Sequence, residues 1–254
     1  MMRTASPPPL DHAAWALFLD IDGTLLDLAP TPNAVIVPKT LPRLLDALTR
    51  RFGGALALVS GRSLDSIDSL FPGHRDAVGC HGAEWRLGGQ TFVPPAPWSD
   101  DFVTRIEAAT RTLPGVIMER KSLSLALHFR AAPDQESAVR GVAGDAIKGA
   151  VPPLRLMDGK AVVEIIPAGI EKGQAIERFM QIRPYAGRRP VFAGDDVTDE
   201  SGFSAVNRAY GLSIHVGHNP VTMAQFRFPD PASLRNWLEG LNAALGGDPV
   251  HEYP

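Results

Sequence analysis

The chain has 254 residues, 44% of them hydrophobic and 21% charged, enough to bury a full core in one large domain or two unequal ones. Its formal net charge of −3 and the lack of any Lys/Arg run exclude a nucleic-acid footprint, whereas a small anionic substrate needs only a few local cations. The single cysteine, Cys80, excludes an intrachain disulfide and reads as a small packed residue rather than a nucleophile, and no apolar run is long enough to span a bilayer.

In chain order, residues 1–11, with Pro7-Pro8-Pro9 and no basic-then-apolar signal pattern, read as a short extended arm, and a cytoplasmic protein is expected. Residues 14–19 form a short apolar run ending in aspartates and a glycine, the pattern of a buried strand entering a loop. The spacing of Leu44, Leu45 and Leu48 predicts a helix over 42–51, followed by a buried strand over 55–59 that ends at Ser60-Gly61-Arg62. Leu64, Ile67 and Leu70 continue at helical spacing, so this part alternates strand and helix as parallel βαβ units do. The middle differs. Residues 99–113 and 132–150 look helical, whereas 115–119, 123–129, 154–157 and 161–166 look like strands, which predicts a small inserted domain. Its proline-rich entry (Pro94, Pro95, Pro97) and its exit over 166–169 read as hinges. The parallel rhythm returns with helices over 172–181, 201–210 and 234–245 and strands over 190–193 and 211–216. The expected fold is α/β, with a Rossmann-like parallel-sheet core from 1–90 and 167–254 and a smaller α/β domain over 91–166.

Ligands of open parallel sheets bind at the carboxyl ends of the strands. Three predicted strands end there in polar clusters: Asp20-Ile21-Asp22-Gly23-Thr24, Ser60-Gly61-Arg62 and Gly194-Asp195-Asp196. Asp20 and Asp22, two apart on an extended segment, point to the same side. Carboxylates so close repel, so one takes a proton or a cation neutralises the pair. A metal-bound carboxylate can attack phosphorus, and a neighbouring carboxyl group can protonate the leaving oxygen and then activate water. A bare Asp-x-Asp-Gly is more often a polar turn; the buried strand before it and the two companion clusters favour chemistry. In the acidic run before the 201–210 helix, Asp199 reads as a helix cap and Asp195, at the strand end, as the better metal ligand.

Asp20-Ile21-Asp22-Gly23-Thr24-Leu25 resembles the first signature of the haloacid dehalogenase (HAD) superfamily of phosphatases. Ser60, Lys172 and Gly194-Asp195-Asp196 stand, in order, where that superfamily's later signatures fall, and the inserted block corresponds to its α/β cap. The resemblance implies roles. Asp20 would be nucleophile and metal ligand, and Asp22 the general acid/base whose carbonyl also binds metal. Ser60 would hydrogen-bond the phosphoryl group, Lys172 would neutralise Asp20 and phosphate, and Asp195 would complete the protein ligands to Mg2+. Asp196 and Asp199 would support them, Asp196 by orienting Lys172 or a metal-bound water. Hard oxygen donors beside a phosphate suit Mg2+, and a lysine at a helix start adds a cation to backbone N–H donors. Phosphoryl transfer is catalysed mainly by such positioning and charge neutralisation.

Within the superfamily, longer motifs resemble trehalose-6-phosphate phosphatases. They are Gly194-Asp195-Asp196-Val197-Thr198-Asp199-Glu200, His81-Gly82-Ala83-Glu84, and Glu119 and Lys121 followed by Ser124, His128 and Arg130. Val163-Glu164-Ile165-Ile166-Pro167 ahead of Lys172-Gly173 completes the set. The substrate-binding residues so implied are Gly61, Arg62, Glu119, Lys121, His128, Arg130 and Glu164. Carboxylates accept hydroxyl hydrogen bonds and an ammonium donates them, which suits a disaccharide. His128 fits a sugar contact or a supporting role equally, and Arg130 can hold a carboxylate. Phe129 and Glu171 depart from the usual tyrosine and asparagine. Sucrose 6-phosphate, mannosyl-3-phosphoglycerate, a phosphomutase and a non-catalytic sugar-phosphate-binding module stay open as alternatives. The expected partner is a small sugar phosphate, not nucleic acid or membrane. A monomer is expected, with functional coupling to a trehalose-6-phosphate synthase left open.

Overall fold

A computed structural model describes residues 7–29, 34–73, 75–121, 123–159, 161–219, 221–244 and 246. Residues 1–6 of the expected arm and Leu245 of the last expected helix lie outside them. The chain divides into two compact units, one made of the described residues up to Phe92 and from Glu171 onward, the other of Val93–Ile170.

The first unit opens with β1 (Trp15–Leu19), α1 (Leu41–Arg51), β2 (Leu56–Val59), α2 (Leu64–Leu70), β3 (Ala77–Gly79), β4 (Glu84–Leu87) and β5 (Gln90–Phe92). The second unit follows with α3 (Asp100–Arg111), β6 (Ile117–Arg120), β7 (Leu125–His128), α4 (Glu136–Ile147), β8 (Leu154–Gly159) and β9 (Val162–Pro167). The first then resumes with α5 (Lys172–Phe179), β10 (Arg189–Gly194), α6 (Glu200–Arg208), β11 (Leu212–Val216), β12 (Phe226–Phe228) and α7 (Pro231–Ala244).

Among the described residues, the first unit's sheet has the order β12-β11-β10-β1-β2-β3-β4-β5. It is parallel from β12 to β3 and antiparallel across β3-β4-β5. Every residue of β1 and β2 is buried, as in strands covered on both faces. Helix α1 buries Leu41, Leu44, Leu45 and Leu48, the stripe its spacing predicts. The hairpin of β4 and β5 has no counterpart in the sequence expectations. In β4 the charged Glu84 and Arg86 are buried and Trp85 is less so, the reverse of the hydropathy pattern. Arg86 tolerates this because Asp68 takes its guanidinium in a two-pronged pair and the Arg75 carbonyl accepts from Nε. In the centre of the sheet Leu19 lies beside Ala193 on one side and Leu58 on the other. Strands β1, β2 and β10 therefore end together, and their trailing residues share one edge.

The second unit is an antiparallel sheet, β6-β7-β9-β8. Its core joins Val103, Ile106, Val139 and Ala143 from α3 and α4 to Leu125, Leu127, Val163 and Ile165 from the sheet. Strand alternation puts Ala126 and His128 on the other face, and register sets Glu119 and Glu164 beside Ala126. Phe129 is buried in the helix-facing core, so its departure from tyrosine is a packing matter, with no hydroxyl left to satisfy.

Candidate active site

Asp20 follows β1 directly, with its amide donating to the Ala193 carbonyl of β10 at 3.0 Å. Its side chain is 5% exposed. Lys172 Nζ donates to Asp20 Oδ1 at 2.7 Å, and Thr24 Oγ1 to Asp20 Oδ2 at 3.0 Å. Thr24 Oγ1 also lies 3.2 Å from Asp195 Oδ1, so one hydroxyl sits between the two carboxylates. The Lys172 ammonium, at the start of α5, is 3% exposed and has a second partner, Asp199 Oδ1, at 2.5 Å. The other Asp199 oxygen accepts from the backbone N–H groups of Asp195 and Asp196 at 2.9 and 3.0 Å. Asp199 thus both caps the turn and grips the lysine. Asp196, expected to orient Lys172 or a metal-bound water, is exposed and accepts from the Val197 amide at 2.7 Å. Glu171, the other departure, is exposed, while Lys172 beside it is buried.

This arrangement places three carboxylates around one ammonium. Burial is the largest influence on Asp20 and pushes its carboxyl up to about 7; Lys172 opposes this, while Asp199 and Asp22 add to it. Burial, then the charges of Asp20 and Asp199, push Asp195 up to about 9. For Lys172 burial acts to lower the ammonium, but Asp199 and Asp20 outweigh it and hold it above its ordinary value. Asp20, Asp195 and Asp199 can each bring a carboxylate oxygen within 4.8 Å of the others. An excess of negative charge on hard oxygen donors is what a divalent cation of the Mg2+ or Ca2+ type requires, so the residues fit such an ion. Asp20 and Asp195 share the Thr24 hydroxyl, while Asp199 is taken up by Lys172 and the backbone amides of Asp195 and Asp196.

Gly23 makes the cluster possible. It has φ +76°, and a Cβ there would lie 2.0 Å from Asp195 Oδ2, so only glycine lets that carboxylate rest on the backbone.

Ser60 is 1% exposed and its Oγ accepts from the Arg62 amide at 3.2 Å. Arg62, expected among the substrate contacts, turns its guanidinium fork onto Asp22, Nε to Oδ2 and Nη2 to Oδ1, both at 2.6 Å. Its Nη1 reaches Ser66 Oγ at 3.3 Å. Gly61 lies between Ser60 and Arg62, under the ring of His81. The remaining expected residues are in the second unit. There Lys121 donates to Glu164 at 2.8 Å and His128 Nε2 lies 2.8 Å from Glu119, while Arg130 is exposed. Sequence reasoning missed Thr24 and the Asp199–Lys172 contact. For Thr24 the signal was present, a hydroxyl four residues after Asp20 within the same motif.

A family model described as trehalose-phosphatase matches residues 18–231. A probable trehalose-phosphate phosphatase of Sinorhizobium fredii is 46% identical over 91% of this chain and 87% of its own length. The trehalose-6-phosphate phosphatase of Escherichia coli is 41% identical over 96% of this chain and 93% of its own. A crystal structure of a trehalose-6-phosphate phosphatase related protein superposes with a TM-score of 0.73 at 27% identity, covering 90% of this chain and 97% of that one. The fold alone is shared with a phosphatase of the HAD superfamily from Bacteroides thetaiotaomicron, with a TM-score of 0.62 at 18% identity, over 96% of this chain and 98% of that one. With the family match running from Phe18 in β1 to Pro231 at the start of α7, and with two relatives above 40% identity over nearly their whole lengths, the chain belongs to the trehalose-phosphatase family.

Proposed function

We propose that this chain is a Mg2+-dependent phosphomonoesterase that hydrolyses trehalose 6-phosphate to trehalose and inorganic phosphate through a phosphoryl group carried on Asp20. The observation that carries the chemistry is the buried Asp20 carboxylate, held between Lys172 and Thr24 beside Asp195 at the carboxyl edge of a parallel sheet. Family membership supports the substrate. Bound to Asp20, Asp195 and the Asp22 carbonyl, Mg2+ would supply the charge neutralisation that lets one anion approach another.

The chain's own residues do the rest. Asp20 Oδ attacks phosphorus, and the bond from phosphorus to the sugar oxygen breaks. Lys172, with Ser60 Oγ and the Gly61 backbone, receives the phosphoryl oxygens. Asp22 gives the leaving sugar oxygen a proton, then takes one from the water that attacks phosphorus, and the bond from phosphorus to Asp20 breaks to release inorganic phosphate and the free carboxylate. Both Asp22 oxygens accept from Arg62, so the proton-giving form requires part of that fork to open. Arg62 is in this reading a residue that aims Asp22, rather than one that binds sugar. Asp199 keeps Lys172 charged and pointed at Asp20.

Glu119, Lys121, His128, Arg130 and Glu164 are the proposed sugar contacts. Lys121–Glu164 and His128–Glu119 are partnered pairs on the sheet face away from the helices, offering donors and acceptors that hydroxyl groups can bridge. A cytoplasmic monomer working beside a trehalose-6-phosphate synthase fits this reading. No helix of the described residues is long and apolar enough to cross a membrane.

The test is phosphate release from trehalose 6-phosphate, glucose 6-phosphate, sucrose 6-phosphate and mannosyl-3-phosphoglycerate, with Mg2+, with EDTA, and with the Asp20→Asn variant. Release from trehalose 6-phosphate alone, lost with EDTA and with the substitution, is expected. Preference for another panel member would discard the substrate, and release by Asp20→Asn would discard the mechanism.

A further inference from the structure

We propose that His81 is a positioning residue for the Ser60-Gly61-Arg62 loop, its ring forming the seat on which Gly61 rests and its backbone amide anchoring Ser60. This rests on the reading of Ser60 and Gly61 as phosphoryl contacts and adds to it a residue outside the metal and nucleophile cluster.

Three observations carry it. A Cβ built on Gly61 would stand 2.5 Å from both Cε1 and Nε2 of His81, so the imidazole lies flush against the loop backbone. Cys80 and His81, neither of them glycine, are consecutive residues with φ of +46° and +59°. Each such residue is disfavoured by roughly 1–2 kcal/mol, and strain of this kind persists only where surrounding contacts over-determine it. Here they do. The Cys80 amide donates to the Arg62 carbonyl at 2.8 Å, and the His81 amide to the Ser60 carbonyl at 3.0 Å, straddling Gly61. Glu84, 2% exposed, accepts from the Leu64 amide at 2.9 Å and so fixes the start of the helix that the loop enters. On its other side the same turn meets the lysine helix, since a Cβ on Gly82 would lie 2.8 Å from the Glu171 carbonyl oxygen. The His81-Gly82-Ala83-Glu84 run is therefore a wedge that sets the phosphate loop and the Lys172 helix from one strained turn.

The distances define a double-mutant cycle. In Gly61→Ala the new Cβ must part from the ring by about 0.9 Å to reach the 3.4 Å of ordinary contact, a displacement that lowers kcat/KM by about 100-fold when it falls on a phosphoryl contact. His81→Ala removes the obstacle. Gly61→Ala/His81→Ala is then expected to exceed Gly61→Ala in kcat/KM by at least ~10-fold, the non-additivity expected of groups in contact. Competitive inhibition by inorganic phosphate, weakened in Gly61→Ala, should recover in parallel. His81→Asn, which tolerates the left-handed backbone but lacks the ring, should recover Gly61→Ala as the alanine does. If Gly61→Ala fails to fold, the double variant is compared with wild type, and a folded double variant must also recover inhibition by phosphate. Multiplicative losses would overturn the proposal. So would recovery of Tm without recovery of phosphate inhibition, because the pair would then be packing alone. If the wild-type chain hydrolyses none of the sugar phosphates, the functional reading fails. The cycle is still read through the rise in Tm that inorganic phosphate produces, so the two failures are distinguishable.

Discussion

Replacing Gly23 by alanine interrogates the proposed metal site through a residue with no functional group of its own. Gly23 has φ +76°, and the added Cβ would lie 2.0 Å from Oδ2 and 2.4 Å from Cγ of Asp195. The left-handed backbone alone disfavours an L side chain by roughly 1–2 kcal/mol, which lowers Tm by about 2–8 °C in a chain of this size. The clash acts separately. To reach ordinary contact at 3.4 Å the Asp195 carboxylate must retreat by about 1.4 Å, while Mg2+ holds its oxygens at about 2.0–2.1 Å in near-octahedral order. Gly23→Ala should therefore raise the Mg2+ concentration for half-maximal phosphate release by about 10–100-fold. It should also lower kcat at saturating Mg2+ by about 100-fold, because Thr24 and Asp20 are tied to the displaced carboxylate. The assay is phosphate release titrated with Mg2+, paired with thermal melts in EDTA and in Mg2+. The reasoning predicts that Mg2+ raises Tm less in the variant than in the wild type. A variant with the wild-type Mg2+ requirement would refute it, whatever its Tm, because Asp195 would then be either undisplaced or no ligand.

Two further outcomes follow from the same geometry. In metal-free protein the folded state holds protons on Asp20 and Asp195 more tightly than the unfolded chain does, with carboxyls raised to about 7 and about 9. That stabilisation is complete below the unfolded value and is lost as pH rises through the folded ones, so Tm in EDTA should fall between pH 6.5 and 9, by about 3–6 °C per pH unit for each retained proton. The window lies above the titration of His215, which burial and then Arg227 lower. Asp195→Asn should flatten the slope, and a Tm that rises through the window would contradict it. Arg62→Ala removes both prongs on Asp22 and should reduce kcat for trehalose 6-phosphate by about 10²–10³-fold with KM changed less than ~3-fold. Arg62→Lys, which lacks the planar fork, should recover less than ~10-fold of that; a large rise in KM with kcat preserved would return Arg62 to the substrate contacts.

The elements that carry the chemistry were legible because their signals are local. Leu17-Phe18-Leu19 and Ala57-Leu58-Val59 are uninterrupted apolar runs, and their burial on both faces is what such runs mean in a parallel sheet. The polar clusters after them fall at one edge because the parallel register aligns the strand ends. The short β3 and β12 and the β4–β5 hairpin were not legible. Three-residue strands carry too few positions for a period, and β4 hides Arg86 and Glu84 where apolar residues are expected.

Within the site, the amino-acid sequence by itself determined which residue types stand at the strand ends: Asp20 and Asp22, Ser60, Asp195, and a lysine opening a helix. Hydropathy periods and turn chemistry are properties of neighbouring residues, and those suffice to say what emerges at an edge. The tertiary structure alone decided the pairing. It gave Lys172 to Asp199 as well as Asp20, sent the Arg62 fork to Asp22, laid Asp195 against Gly23, and set His81 on Gly61. Such contacts join residues distant in the chain, and a few tenths of an ångström of sheet register and packing, which no local period encodes, decide which donor meets which acceptor.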